Sequence, residues 1–430
     1  MSRRGNHRRS SAWSSSRKSD RGIGFYLLVL SLVVLVLVVA AGAYVGIQLN
    51  RSVPKATASV VFHDPLTAAG TRPSLPVPAQ GSTDVAVEGV GTLAAVNANK
   101  SVPVASITKL ITALVVLQHH PLQVGQQGPE ITVPAAIGSA YPAELAAHDS
   151  LIPVHTGEHL SEYQCLEALL IPSADNVANL LATWTAGSVS AFVAEMNAKA
   201  TALGLHHTHF ADASGLSPGS ESSAADLVHL GEMVLNQPVI AQIVAMPQVN
   251  LPLAGLVYNY DYDLGRDGIV GIKTGSTLPA GGDFLFAAHH KVGGRTLTVV
   301  GAVLNQQGKN ILQAALDAAK RLAVAAFADI HPVTLLRAGV PVVRVTAPWG
   351  GSTQAVTTRT VTTLGFSGER VQAAVHLAGP ATTRALKSPV AAGAELATVQ
   401  VTLPDGTVSV PATTVGSIKA PSLSWRLERL

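Results

Sequence analysis

Residues 102–110 read VPVASITKL and place Ser106 three positions before Lys109, at the start of an apolar helical run. Positions three apart on a helix share a face, so this hydroxyl and this amine lie within several ångströms of each other. A serine hydroxyl is a poor nucleophile until a base takes its proton, and a lysine serves as that base only when its ammonium is destabilised. Burial and a second nearby cation both do this. A helix start also turns the Ser106 backbone N–H toward a developing oxyanion. The spacing alone is weak evidence, since Ser15 and Lys18 repeat it in a basic tail.

Two further stretches supply what that chemistry lacks. GIVGIKTGST, residues 268–277, ends an apolar strand pattern in Lys273-Thr274-Gly275. There Lys273 offers the second cation, Thr274 a hydrogen bond to a substrate carboxylate, and Gly275 a close approach of substrate backbone to a strand edge. The N–H of Ser276 completes an oxyanion hole. The plain reading of the same tripeptide is a strand ending in a turn. LLIPSADNVANLL, residues 169–181, sets Ser173, Asp175 and Asn176 between two helical stretches. Ser173 reads as an N-cap or as a proton relay to a leaving amine, with its neighbours positioning substrate and Lys109.

Composition narrows the setting. At 430 residues the chain exceeds one compact domain, and 47% hydrophobic residues exclude disorder throughout. Charged residues make up 13% and aromatics 4%, so the core is aliphatic. Cys165 is the single cysteine and reads as a small buried hydrophobe. His206, His207 and His209 have no neighbouring cysteine or glutamate to complete a ligand set, so neither metal nor cofactor is expected. The net charge of +3 divides unevenly: residues 1–21 carry a balance of +6 and the remaining 409 a balance of −3. Nucleic-acid binding therefore has no electrostatic support.

The apolar run Ile23 to Ile47 is uncharged and long enough to cross a hydrocarbon layer of about 30 Å. The excess of Arg and Lys before it predicts a cytoplasmic N-terminus and an exported body. A cleaved signal peptide, with Ala41-Gly42-Ala43 at the cleavage site, is the competing reading. The expected organisation is a basic tail at 1–21, a transmembrane anchor at 22–48 in the lipid bilayer, and a linker at 49–83. A catalytic domain at 84–330 and a small β-rich domain at 331–430 follow. In the larger unit, Ser161 and Gln164 form a capping box, Ser223 caps another helix, and Phe192, Met196, Ala200 and Leu203 make a stripe ending at Gly204. FLFAAHHKVGGRTLTVVGAVL, residues 284–304, reads as two strands joined by Gly293-Gly294, and a helix runs from about Asn310 to Phe327. The fold class is α+β, an antiparallel sheet with a helical region. In the β-rich unit Val371, Ala373, Val375 and Leu377 alternate, and Asp405-Gly406 joins two strands.

Taken together, the three motifs resemble the set of the serine D-Ala-D-Ala carboxypeptidases, the low-molecular-weight penicillin-binding proteins. The similarity extends through MNAKATALGLHHTHFADASGL (196–216) and into KSPVAAGAELATVQVTLPDGTVSVPATTV (387–415). The resemblance implies a penicillin-recognising, β-lactamase-like catalytic domain acting on peptidoglycan stem peptides that end in D-Ala-D-Ala. It implies an acyl-enzyme on Ser106 with Lys109 as base, Thr274 on the terminal carboxylate, and β-lactam antibiotics trapped as the same ester. Two positions depart from the family pattern. Its Ser-x-Asn reads Ser173-x-Asp175 here, with Asn176 one step later, so either the backbone presents Asn176 or Asp175 is accepted at a cost in rate. An ionised Asp175 beside Lys109 favours the ammonium, the wrong state for a base. Where family members carry a carboxylate-steering arginine, this chain has Asn305, Gln306 and Gln307. A D,D-endopeptidase using the same apparatus and a wall-binding scaffold without turnover are the alternatives.

Overall fold

The computed structural model describes residues 20–379, 381 and 384–429, and the basic stretch at 1–19 lies outside them. The described residues open with helix α1 (Asp20–Asn50), in which Ile23–Asn50 is long and apolar enough to cross a membrane. Its side chains from Ile23 to Leu30 and from Leu32 to Val39 are exposed, as a lipid-facing surface requires. Its last turns meet the other end of the protein. Tyr44 donates to the Leu427 carbonyl (2.8 Å), and Arg429 donates to the carbonyls of Gln48 (3.0 Å) and Arg51 (2.7 Å). A guanidinium at the carbonyl end of a helix satisfies orphan acceptors and complements the helix dipole.

The body is built on five antiparallel strands, β1 (Ser82–Val87), β2 (Gly91–Val96), β3 (Ile269–Thr277), β4 (Gly281–Val292) and β5 (Arg295–Gln306), in the order β3-β4-β5-β1-β2. The β4–β5 hairpin turns at Gly293-Gly294, with Val292 paired to Arg295. Both glycines have positive φ, as a two-residue hairpin loop of this type demands. Helices α2 (Lys109–His119), α3 (Glu162–Leu170), α4 (Asp175–Ala186), α5 (Val189–Ala202) and α6 (Ala224–Leu235) form one layer, packed with Leu285 and Val300 of the sheet. On the other face α7 (Ile311–Ala328) buries Leu316, Ala319, Leu322 and Ala323 against Phe284 and Phe286. Both faces of the central strands are thus covered, and among the described residues β3 is an edge strand of this sheet.

The local signals act as their chemistry requires. Ser161 and Gln164 close a reciprocal capping box at α3 (2.9 and 3.1 Å), and the Ser223 hydroxyl accepts from the Asp226 N–H at 3.2 Å. Cys165 is fully buried, and burial pushes its thiol far up, so it packs as a hydrophobe.

A seven-stranded antiparallel sheet with its own aliphatic core makes up the C-terminal region. The segment 49–83, expected as a linker, is in part structural. Ala56–Val60 pairs with Pro341–Thr346 on one side and with Ala385–Leu386 on the other, and Leu66–Thr67 pairs with Arg370–Val371. The chain therefore contributes a strand to the C-terminal sheet before it builds the body. The stretch ATASV carries no bulky side chain at its inward positions. Ala56 and Ala58 are buried because a close-packed sheet accepts small residues there.

Candidate active site

The nucleophile turn precedes α2. Ala105–Thr108 form one turn of 3-10 helix, and Ala105 takes φ +45°, a left-handed conformation for a residue with a Cβ. Such strain collects where the surrounding structure holds a reactive group in place. Lys109 opens α2 and is fully buried, and its Nζ donates to three acceptors: Ser106 Oγ (2.8 Å), Asp175 Oδ1 (2.6 Å) and the Ser214 carbonyl (2.9 Å). Every donor of an ammonium is thereby used. A neutral amine keeps two of these bonds and turns its lone pair on the hydroxyl.

The Ser214 carbonyl is set by the loop 211–220. Asp212 Oδ2 accepts from the Ser214 hydroxyl (2.8 Å) and from the N–H groups of Gly215 and Leu216 (both 2.9 Å). This carboxylate-centred turn presses the loop under the nucleophile. Gly215 has φ +89°, and a Cβ there would lie 1.8 Å from the Ala105 carbonyl oxygen.

Ser173 and Asp175 come from the start of α4. Ser173 has φ +62°, is 2% exposed, and its Oγ makes no hydrogen bond to a described residue. An N-cap would bond the helix N–H groups, and the Ser173 hydroxyl bonds none of them. Asp175 is held on both sides. Its N–H donates to the Ser150 carbonyl (2.7 Å) and its Oδ2 accepts from the Ser150 N–H (3.0 Å). Asn176 does not join the group: its Nδ2 donates to the Ile152 carbonyl (2.8 Å) and its Oδ1 accepts from the Val177 N–H (3.1 Å). The backbone has not shifted to present the amide, and residue 175 with its carboxylate faces Lys109.

On the edge strand β3, Lys273 is 2% exposed and donates to the Thr274 carbonyl (3.1 Å). Burial and the nearby Lys109 lower its pKa to about 7, against the opposing pull of Asp175 and Asp261. Lys273 is therefore the amine of this cleft that changes charge near neutrality. Gly275 lies against the nucleophile turn, where a Cβ would stand 2.9 Å from the Val104 carbonyl and 3.2 Å from the Ser106 nitrogen. Ser106, Ser173, Thr274, Gly275 and Ser276 line one cleft of about 240 Å³. Larger hollows of about 770 and 660 Å³ lie near the C-terminal sheet and contain none of these groups.

Ser150, Tyr260 and Leu312 also line the cleft, and Ser214 completes the lysine's shell. Sequence reasoning missed all four. The Asp-x-Ser-Gly spacing of 212–215 is a turn signature that would have located the loop, whereas the part played by a backbone carbonyl leaves no mark on residue type. Asn305, Gln306 and Gln307 stand outside the cleft. Gln306 is buried and donates to the Gln80 and Leu304 carbonyls (both 3.0 Å), and Gln307 donates to Asn305 Oδ1 (3.0 Å).

Comparison with known proteins gives the family. Residues 84–307 match the family described as D-alanyl-D-alanine carboxypeptidase. A D-alanyl-D-alanine carboxypeptidase of Mycobacterium tuberculosis is 35% identical over 54% of this chain and 77% of that protein. A D-alanyl-D-alanine endopeptidase of Pseudomonas aeruginosa is 35% identical over 40% of this chain and 52% of that protein. Among solved structures, penicillin binding protein 5 from Haemophilus influenzae shares the fold, with a TM-score of 0.57 at 20% identity, across 82% of this chain and all of that one.

Proposed function

Because the chain belongs to the D-alanyl-D-alanine carboxypeptidase family, we propose that its cleft removes the terminal D-Ala of peptidoglycan stem peptides through an acyl-enzyme on Ser106. The protein is a serine-type D-Ala-D-Ala peptidase of the penicillin-binding class, with an apolar N-terminal helix suited to anchoring it in a membrane. The observation that carries the assignment is the 2.8 Å contact between Ser106 Oγ and the buried Lys109 amine, in a cleft walled by Ser173 and Thr274-Gly275-Ser276. Lys109 takes the hydroxyl proton as Oγ attacks the penultimate D-Ala carbonyl, and the oxyanion turns to the N–H groups of Ser106 and Ser276. The C–N bond breaks, and the proton reaches the departing amine through Ser173. Water then hydrolyses the ester. Thr274 and Lys273 receive the terminal carboxylate, in place of the arginine that this chain lacks. β-Lactams follow the first half of the path and remain as the ester. The basic residues at 1–21 keep the N-terminus in the cytoplasm and the cleft outside the cell.

Free D-alanine released from a soluble pentapeptide by the wild type and not by Ser106→Ala is the expected result. Cleavage of a cross-linked dimer without D-alanine release would move the activity to the endopeptidase reading that the Pseudomonas relative represents. Labelling by a reporter penicillin with neither product would leave a scaffold.

Asp175 gives the cleft its pH response. Its charge holds the Lys273 pKa up, so removing it lets that value fall below about 7. The pH profile of acylation is therefore expected to carry an inflection near 7 in the wild type that moves to lower pH in Asp175→Asn, with the rate at pH 8 retained or raised. Stopped-flow acylation profiles check this. A profile that stays in place, or a loss of more than about tenfold at pH 8 (about 1.4 kcal/mol), would give the carboxylate a required role.

A further inference from the structure

The chain holds seven tyrosines, and three of them fall within five residues beside the cleft, in LVYNYDYDLG at 256–265. Burial alternates strictly along this segment. Tyr258, Tyr260 and Tyr262 are 59%, 37% and 56% exposed, whereas Asn259, Asp261 and Asp263 are 8%, 5% and 7% exposed. The buried set pins the backbone. Asn259 Nδ2 donates to the Met246 carbonyl (3.1 Å) and its Oδ1 accepts from the Asp261 N–H (2.9 Å). Asp261 Oδ1 in turn accepts from the Asp263 N–H (3.1 Å), and Lys320 pairs with Asp263 at 3.3 Å. Each anchor holds the next through a side-chain-to-backbone turn, and beyond the strand that ends at Tyr258 these turns leave Tyr258 and Tyr262 to solvent and Tyr260 partly exposed beside Ser150.

Three rings exposed in succession, in a protein with 4% aromatic residues, mark an interaction surface. Tyr260 belongs at once to this row and to the wall of the cleft that contains Ser106. We propose that Tyr258, Tyr260 and Tyr262 form a stacking platform for the glycan strand from which the stem peptide hangs. The inference rests on the peptidase reading, since it is the wall polymer that brings sugars to this cleft. The cleft of about 240 Å³ admits only the terminal residues of a stem peptide, so the remainder of the substrate must lie outside it. Pyranose rings present apolar C–H faces edged with hydroxyls. A phenol offers the complementary pair, an apolar ring face and a hydrogen-bonding tip.

The test uses the full chain in nanodiscs, with glycan strands stripped of peptide by an amidase as the probe. Wild-type protein is expected to bind the strands, the Tyr258→Ala/Tyr262→Ala double variant to bind at least tenfold more weakly, and the Tyr258→Phe/Tyr262→Phe variant to keep most of the affinity. No affinity of the wild type for peptide-free glycan would overturn the proposal and leave the row to a protein partner. Equal affinity of the alanine variant would overturn it too. Reporter-penicillin labelling of the same preparations stays at the wild-type rate in the alanine variant, which shows an intact cleft. A wild type that binds glycan but takes no penicillin would strike the peptidase reading alone.

Discussion

Replacing Lys109 or Lys273 by methionine is expected to slow penicillin acylation by at least about 10³-fold in each case, while moving stability in opposite directions. Lys109→Met leaves the Asp175 carboxylate, 3% exposed, without the ammonium now 2.6 Å away. Losing one partner of a buried pair costs about 3–5 kcal/mol, because the remaining charge is stranded. Lys273 is the reverse case. Its pKa falls from 10.5 to about 7 because burial and the neighbouring Lys109 penalise its charge. Between those two values the unfolded chain binds the proton more readily than the folded one, so stability rises with pH through that window. Below about pH 7 the full penalty of burying the amine is present. Lys273→Met removes it, so the melting midpoint rises, by more at pH 6.5 than at pH 10. Calorimetry of both variants at the two pH values checks the pair. A fall in stability for both would mean that Lys273 is held by favourable contacts and not against its own desolvation.

Gly215→Ala is expected to cut acylation at least about 100-fold and to destabilise the fold by about 1–3 kcal/mol. The new methyl group would meet the Ala105 carbonyl oxygen at 1.8 Å, and φ of +89° is strained for any residue with a Cβ. Relief requires the loop 211–220 to withdraw, which takes the Ser214 carbonyl from Lys109 and frees the Ser106 turn. Gly157→Ala separates these effects. Gly157 has a similar φ of +85° and nothing within 4 Å of its Cβ position, so it suffers backbone strain without collision. It should lose about 1 kcal/mol and keep its acylation rate. Equal kinetic losses in the two variants would show that placement of the nucleophile does not depend on the Gly215 contact.

Much of this arrangement was legible before any coordinates. A three-residue spacing dictates the Ser106–Lys109 contact because helical periodicity is local, and the Gly293-Gly294 hairpin follows from the φ its turn demands. Lys273 could be assigned a role as second cation because the chemistry required one. What escaped reading depends on distant packing. Ala56–Val60 is an interior strand made of small residues, which looks like a linker when bulk is the signal. The choice between Asp175 and Asn176 turned on how the Ser150–Ile152 segment holds both, Asp175 at Ser150 with its other oxygen on Lys109 and Asn176 at Ile152, and a sequence does not display that segment's position. The resemblance set the frame for the motifs, but the carboxylate at 175 departs from the pattern it implies and holds the Lys273 pKa up.

The most direct test is to locate the ester. Full-length protein treated with a reporter penicillin and digested should show the penicilloyl mass on the peptide that contains Ser106, and Ser106→Ala should show no adduct anywhere. An adduct that persists on the alanine variant, or that maps to Ser173 in the wild type, would contradict the assignment of the nucleophile and the proton path built on it.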